Sequence, residues 1–262
     1  MGQNHAYTRW ESSQYVNGCD APGATAALAG VPSNIVIQNN WFRNHWTGTV
    51  ALFTAANSVV SNNTFYDNYT ENSWDGNGGT VLDGECNEST DWNSNAFVNS
   101  GLGASVITPA FEFYGQGRAG KLSYIRNNAI VGQPLEAFAL SSTKYLEVSS
   151  NIIVDASRSN STPDAAAIRI DNFPGWRGSD NVNVFNNTIT QTGNPAISMD
   201  YGIAIGGCVN GGACSSLTNI TLGTNSISGV AKSASCQRTF ANPLNPTPPA
   251  ILPSMSIAQC DY

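Results

Sequence analysis

The chain has 262 residues, of which 41% are hydrophobic and only 11% are charged. Its formal net charge is -7, and its only lysines are Lys121, Lys144 and Lys232, so nucleic acid is a poor candidate partner for it. The sequence contains no run of about 18 apolar residues and therefore predicts no membrane span.

Residues 1–32 show no clear repeat, and we expect them to cover or continue an open first coil of the fold. The chain opens without the basic and then apolar segments of a signal peptide. We therefore interpret Met1 as the start of a shortened chain or as the edge of a larger protein.

From residue 33 onward a short motif recurs, and each copy reads Asn-x-Phe or Asn-x-Ile. The copies begin at Asn40, Asn63, Asn95, Asn128, Asn151, Asn187 and Asn225. Apolar or small residues stand three and five positions before each asparagine, which predicts short strands with one buried face. The shortest separation, 23 residues between Asn40 and Asn63, fits one turn of a parallel β-solenoid with three strands, and longer separations add loops.

An asparagine at the same corner of every turn has a structural use. Its amide can bond to the equivalent asparagines above and below and to the turn backbone, so we expect an asparagine ladder and assign these residues no catalytic role. Four further asparagines, six positions before a ladder residue, suggest a second and incomplete ladder: Asn34, Asn57, Asn181 and Asn219.

A second set of strands lies between the copies of the motif. Its inward residues are taken as Leu52, Leu82, Phe111, Phe113, Phe138, Leu140, Ile168, Ile170, Ile203 and Ile205. Alternation then predicts an outward column that contains Asp83, Glu85, Glu112, Tyr114, Arg169 and Asp171. Because charged residues are scarce in this chain, their concentration on one face is informative.

The repeat fails after Val230, and the proline-rich residues 231–262 are expected to form an extended cap. The six cysteines lack the spacing of a zinc site and favour disulfides in a secreted or extracellular protein. We predict pairing of Cys208 with Cys214 and of Cys236 with Cys260. The predicted organisation is thus a first segment 1–32, a body 33–230 and a cap 231–262.

The Asn-Asn-x-Phe/Ile repeat, with a bulky strand between its copies, resembles the right-handed parallel β-helix of the pectin lyase-like superfamily. The resemblance covers about residues 33–230 and implies an all-β solenoid of about seven turns. It implies polysaccharide lyase, glycoside hydrolase, epimerase, esterase or phage-tailspike functions. The Asn-Thr-Asp with a following Asp-Asp of the hydrolases and the closely spaced basic motif of the lyases are not intact here, so function has to be argued from the site.

Asp83, Glu85 and Glu112 lie close enough on adjacent predicted strands to support two chemistries. In a glycoside hydrolase, one carboxyl group acts as the acid while its neighbour acts as base or nucleophile. In a uronate lyase, the three carboxylates would hold Ca²⁺ while a basic side chain abstracts the C5 proton. Arg169 is the basic residue placed best for substrate contact, where it could clamp a uronate carboxylate, stabilise developing negative charge or serve as a base-like group. No other cofactor is predicted.

Further residues are candidates for substrate contact. Lys144 follows the strand between Glu112 and Arg169, and Tyr114 and Asp171 share the outward face. Trp74 and Trp176 stand on Gly-containing loops that flank this face, where they could stack on sugars or tuck the loop over the fold. The alternative for Arg169 is an ion pair with Asp171 or with a carboxylate on another strand, and the alternative for the acidic residues is a solvated face.

Two hypotheses remain at this point. The first is a secreted enzyme, monomeric in solution, that acts on an acidic or a plant- or microbe-derived polysaccharide. The second is a non-catalytic structural or adhesive solenoid that forms a homo-oligomer or filament. The only histidines, His5 and His45, support neither a histidine-rich metal site nor a Ser-His-Asp triad.

Overall fold

The computed structural model describes residues 6–8, 33–43, 50–53, 56–66, 82–85, 89–98, 111–114, 121–133, 136–156, 166–172, 178–192, 199–208, 217–237, 252–253 and 258–259. In these residues the chain forms strands β1–β24, numbered in chain order, and no helix. The strands form three sheets in which the neighbouring strands pair in parallel.

Successive strands of the chain join the three sheets in rotation. The nine-stranded sheet contains, in spatial order, β1 (Ala6–Thr8), β4 (Val50–Phe53), β7 (Leu82–Glu85), β10 (Phe111–Tyr114), β13 (Phe138–Ser141), β16 (Ala166–Asn172), β19 (Tyr201–Cys208), β22 (Ser233–Gln237) and β24 (Ala258–Gln259). The eight-stranded sheet contains β2 (Val36–Gln38), β5 (Val59–Ser61), β8 (Asp91–Asn93), β11 (Ser123–Arg126), β14 (Lys144–Ser149), β17 (Asp180–Phe185), β20 (Thr218–Leu222) and β23 (Leu252–Pro253). The seven-stranded sheet contains β3 (Trp41–Arg43), β6 (Thr64–Tyr66), β9 (Ala96–Val98), β12 (Ala129–Val131), β15 (Ile152–Val154), β18 (Thr188–Thr190) and β21 (Ser226–Ser228). This arrangement is compatible with a parallel β-helix.

One hydrophobic core contains residues from all three sheets. Where their side chains are described, the residues predicted to face inward are fully buried, such as Phe138, Leu140, Ile168 and Ile170. Trp92, which stands three positions before Asn95 at one of the apolar positions of the repeat, is also fully buried. In the seven-stranded sheet Phe65 stacks on Phe97 with ring centroids 4.8 Å apart. Because equivalent residues lie directly above one another, each strand continues the core of the preceding one.

The predicted asparagine ladder is confirmed by an unbroken chain of hydrogen bonds. The backbone N–H and the Nδ2 of each asparagine both donate to the Oδ1 of the next one, at 2.9 and 3.1 Å between Asn95 and Asn128. The same pattern of side-chain bonds links Asn40, Asn63, Asn95, Asn128, Asn151, Asn187 and Asn225. Nδ2 also donates to a strand carbonyl, as from Asn128 to the oxygen of Trp92 at 3.0 Å. The buried amides are thereby satisfied by one another and by the backbone.

The prediction of a second asparagine ladder is wrong, because the four asparagines serve the turn through their backbone conformation instead. Their backbones are left-handed, with φ of 57° at Asn34, 48° at Asn57, 53° at Asn181 and 50° at Asn219. The Nδ2 of Asn34 donates to Ser33, and the Nδ2 groups of Asn181 and Asn219 donate to Asp180. Asparagine recurs here because it tolerates the left-handed conformation that the turn requires.

Side-chain hydroxyl groups form hydrogen bonds with backbone N–H and carbonyl groups where the chain enters the eight-stranded sheet. These bonds were not predicted from the sequence. Ser58 Oγ accepts from the N–H of Ile35 at 3.2 Å and donates to the carbonyl of Ala56 at 3.0 Å. Ser123 and Ser179 accept in the same way from Thr90 and Thr143. At these entry points the backbone is therefore satisfied by serine hydroxyl groups rather than by asparagine side chains.

The sheets extend beyond the last copy of the sequence motif. β22 pairs with β19, β24 pairs with β22, and β23 pairs with β20 through Leu252 and Pro253. Parts of the segment predicted to be a separate cap therefore lengthen two of the three sheets. A proline in the last strand of a sheet lacks the N–H that a further strand would need.

Candidate functional site

The outward face of the nine-stranded sheet carries the candidate site, and its backbone register is described from β4 to β19. Glu112 lies directly opposite Asp83 on one side and Ala139 on the other. Ala139 in turn lies opposite Arg169. Neighbouring strands are about 4.8 Å apart. Asp83 and Glu112 are therefore adjacent in one column, and Arg169 stands two strands beyond Glu112, as the sequence predicts.

A second outward column runs beside the first, two residues further along each strand. It brings together Glu85, Tyr114, Ser141 and Asp171, each opposite the next. For Asp83, Glu85, Glu112 and Tyr114 the structure describes the backbone only, so the distances between their carboxyl and hydroxyl groups remain predictions.

Arg169 is the centre of a charged network whose side chains are described. Its Nη1 lies 2.9 Å from Oε1 of Glu136, and its Nε lies 3.1 Å from Oδ2 of Asp171. The side chain of Arg169 is 25% exposed, whereas those of Glu136 and Asp171 are only 5% and 3% exposed. Arg169 therefore pairs with Asp171, one of the alternatives given for it, and also with Glu136, which precedes β13 and was not predicted. The pairs are partly buried rather than superficial.

Hydrogen bonds fix the position of Asp171 within this network. Ser141, its neighbour on β13, donates its hydroxyl to Oδ1 of Asp171. The hydroxyl of Ser179 donates to the backbone carbonyl of Asp171 at 2.9 Å, and the Ser179 N–H donates to Asn172 Oδ1 at 2.7 Å. One carboxylate oxygen of Asp171 thus faces Ser141 and the other faces Arg169. This arrangement holds the guanidinium in place on the outward face.

The outward face is not equally accessible along its length. Ala139 and Ala204 are fully buried although they lie on the face opposite the core residues of their strands. Ser141 and Asp171 are also buried. Because arginine stays protonated in proteins, Arg169 presents a fixed positive charge at the accessible part of the network. It can clamp a carboxylate or stabilise developing negative charge, and it is poorly suited to act as a base.

The sequence analysis did not identify Glu136 as part of the site. This residue precedes β13 and is almost fully buried. A signal existed in the sequence, because a glutamate just before the apolar run Phe138-Ala-Leu140 needs a cationic partner if it is buried. Only the register of β13 and β16 identifies that partner as Arg169.

Lys144, the other basic candidate for substrate contact, lies on a different sheet from Arg169. It begins β14 in the eight-stranded sheet and lies opposite Asp180. Two buried residues, Ser142 and Thr143, turn the chain from β13 into this different sheet. Trp74 and Trp176 lie outside the described residues, as do Cys214 and Cys260, so the stacking and disulfide predictions remain open.

A second charged cluster lies on the eight-stranded sheet. Nε and Nη2 of Arg126 donate to the two carboxylate oxygens of Asp91 at 3.0 and 2.6 Å. The guanidinium also lies over the ring of Tyr124, 4.7 Å from its centroid. The hydrogen bond to Asp91 raises the pKa of Arg126 above its ordinary value, so this group is charged at every physiological pH. The pair is partly exposed and contributes little to stability.

Within the described part of the chain, no group of three or more His, Cys, Asp or Glu residues could hold a metal ion. The calcium site predicted at Asp83, Glu85 and Glu112 involves side chains outside that part. No helix in the described ranges is long and apolar enough to cross a membrane.

Comparison of the chain with profiles of known protein families, with curated proteins and with solved structures finds no match. The functional argument therefore rests on the residues and on the register of the sheets.

Proposed function

We propose that the three parallel sheets close into a right-handed parallel β-helix of the pectin lyase-like type and that the protein is a secreted, carbohydrate-active enzyme that cleaves a polysaccharide. The site would be the outward face of β7, β10 and β16. The observation that carries this proposal is the column in which Asp83 lies beside Glu112 and in line with Arg169. Support also comes from the order of the strands, which join the three sheets in turn, and from the asparagine ladder.

The roles follow from the chemistry of the side chains. Asp83 and Glu112 occupy opposite positions on neighbouring strands, so their carboxyl groups would repel one another if both were ionised, and the proposed mechanism needs one of them protonated. Such a pair can supply the acid and the base or nucleophile of glycoside hydrolysis. Glu85 in the adjacent column would complete a calcium site if the reaction is elimination from a uronate.

Arg169 would bind rather than react. Its contacts with Glu136 and Asp171 hold the guanidinium in one orientation, and its exposed part can pair with a substrate carboxylate. Trp74, Trp176 and Tyr114 would be the surfaces on which sugar rings stack, and the substrate would be acidic or of plant or microbial origin. A uronate-containing substrate would in addition need the Ca²⁺ that Asp83, Glu85 and Glu112 could hold, because Arg169 is already paired with two carboxylates.

The test is a panel of polysaccharides assayed both for new reducing ends and for the absorbance of an unsaturated uronate. Reducing ends alone mean hydrolysis, and both signals together mean elimination. Asp83→Ala and Glu112→Ala should each lower the rate by about 100-fold or more, since general acid–base catalysis contributes roughly 10²–10⁴-fold, and Glu85→Ala should do so only if the reaction is a Ca²⁺-dependent elimination. Glu147→Ala is the matched control, because Glu147 is a half-buried glutamate on the eight-stranded sheet. Unchanged activity in both Asp83→Ala and Glu112→Ala would reject this assignment.

A second candidate function is a non-catalytic structural or adhesive solenoid. It is favoured by exposed apolar residues on the seven-stranded sheet, such as Trp41 and Ile152. If neither signal appears on any polysaccharide and the protein sediments far above 27.6 kDa, this candidate replaces the enzyme.

A further inference from the structure

The outward face of the seven-stranded sheet differs from the other two outward faces. Its strands carry two outward residues each, because the middle residue of each strand is the one that faces the core. The first outward column contains Trp41, Thr64, Ala96, Ala129, Ile152, Thr188 and Ser226, and the second contains Arg43, Tyr66, Val98, Val131, Val154, Thr190 and Ser228. All of these residues are at least partly exposed. We call these two columns the outer strip.

The outer strip is mostly apolar from β3 to β15, where Arg43, Thr64 and Tyr66 are its polar residues, and it carries only threonine and serine at β18 and β21. Trp41, Ile152 and Val131 are 73%, 53% and 40% exposed. Arg43 is the single charged residue of the strip, and its guanidinium lies 5.3 Å from the ring centroid of Tyr66. By contrast, the outward face of the eight-stranded sheet carries Asp91 and Arg126. A surface in this acidic chain that exposes large apolar side chains and almost no charge indicates a binding surface.

The dimensions of the outer strip argue against a protein partner. Seven strands spaced by about 4.8 Å, with two side-chain columns about 7 Å apart, give a strip roughly 29 Å long and about 7 Å wide. A stable protein interface buries about 800 Å² and about 20–30 residues on each partner, whereas the strip consists of only two residues on each of seven strands. A second copy of the chain bound here alone would therefore be held weakly. The shape fits a single extended polymer that runs across the strands.

The chemistry of the outer strip selects the kind of polymer. A nucleic acid or a polyuronate would meet one arginine and no other positive charge, which is too little to bind a polyanion. A neutral polysaccharide presents apolar C–H faces, which pack on rings such as those of Trp41 and Tyr66, and hydroxyl groups, which can bond to threonine and serine. A pyranose unit is similar in length to the spacing of the strands, so successive sugars can contact successive strands.

We propose that the outer strip is a second carbohydrate-binding surface, specific for neutral polysaccharide chains and separate from the candidate catalytic face. It shares with the proposed function only the class of ligand, since it lies on a different sheet. An enzyme with such a surface is held on a neutral polymer while its other face acts on a substrate chain nearby.

The experiment measures retention of the full chain on insoluble cellulose, chitin, xylan and mixed-linkage β-glucan, with polygalacturonate as the acidic comparison. The wild-type protein should be retained by at least one neutral polymer. The outer strip should contribute nothing to retention on polygalacturonate, so substitutions in the strip should leave that retention unchanged. Trp41→Ala and Ile152→Lys should each lower the affinity by about tenfold, since a stacked or packed ring and a buried apolar contact are each worth roughly 1 kcal/mol or more. Val36→Lys is the matched control, because Val36 is 62% exposed but lies on β2 in another sheet.

Three results would overturn the proposal. The first is no retention on any of the four neutral polymers, and the second is retention that Trp41→Ala and Ile152→Lys leave unchanged. The third is a wild-type dimer in sedimentation that Ile152→Lys dissociates, which would make the strip a self-association surface. Glu112→Ala separates this proposal from the proposed function, because it should abolish cleavage and leave retention intact. Retention without any cleavage would reject the proposed enzymatic function and support the outer strip as a carbohydrate-binding surface.

Discussion

At the scale of the residue, asparagine has two separate uses in this chain. Asn128 has 1% of its surface exposed and takes part in side-chain bonds to Asn95, Asn151 and Trp92. Asn127, its neighbour, is exposed and has a left-handed backbone with φ of 56°. The first residue is needed for its amide and the second for its backbone conformation. Adjacent asparagines should therefore respond differently to substitution.

Asn128→Ala should destabilise the protein by about 2–4 kcal/mol, because it leaves several buried donors and acceptors without partners, each costing roughly 1–3 kcal/mol before local relaxation. Asn127→Gly should change stability by less than about 1 kcal/mol, since glycine adopts the left-handed conformation freely. Urea unfolding followed by circular dichroism measures both. Equal losses from the two variants would contradict the division of roles.

The same contrast shows what sequence could and could not predict. The ladder and the alternation of Ile, Val and Phe were predictable because both depend on residues at fixed spacing within one motif. Asn34 and Asn57 were misassigned because an asparagine used for its left-handed backbone is indistinguishable, in sequence, from one used for its amide. Glu136 was missed because its pairing with Arg169 depends on a contact between a residue before β13 and one on β16. Such a contact exists only after the register is set.

At the scale of the element, neighbouring strands constrain one another through close packing at fixed positions. Gly223, at the end of β20, lies opposite the end of β17. A methyl group at Gly223 would come within 2.7 Å of Cβ of Phe185, the last residue of β17. Since Cβ is anchored to the backbone, the two strands would have to separate. The absence of a side chain at Gly223 is therefore a packing requirement rather than a matter of chain flexibility.

Gly223→Ala should destabilise the protein by about 1–3 kcal/mol, the usual cost of overpacking. Gly223→Ser should be at least as costly, because its Cβ occupies the same place. Gly229→Ala tests the other cause of a glycine requirement, since Gly229 has φ of 75° and its added Cβ would lie 2.1 Å from the carbonyl oxygen of Gln191. Chemical denaturation measures all three, and a neutral Gly223→Ala would show that β17 and β20 can move apart freely.

At the scale of the whole molecule, the parallel sheets make every strand depend mainly on its two neighbours. Strands in the middle of the stack, such as β12 and β15, are paired on both sides, and their central residues Ile130 and Ile153 are fully buried. β3 is the end strand of the seven-stranded sheet, and its central residue Phe42 is only partly buried. The stability of the backbone should therefore vary along the stack, as in other repeat structures.

Hydrogen exchange of the backbone amides followed by mass spectrometry tests this expectation. Amides of β2 and β3 should exchange through local opening, at least about tenfold faster than those of β11, β12 and β15, since each 1.4 kcal/mol of opening free energy corresponds to a factor of ten. Asn128→Ala should then accelerate exchange most in β9, β12 and β15, the strands that follow Asn95, Asn128 and Asn151. The contrary result would be uniform protection in the wild type that the variant loses uniformly. It would mean that the three sheets open only as a single cooperative unit. The ladder would then contribute to the stability of the whole stack rather than to that of the neighbouring strands.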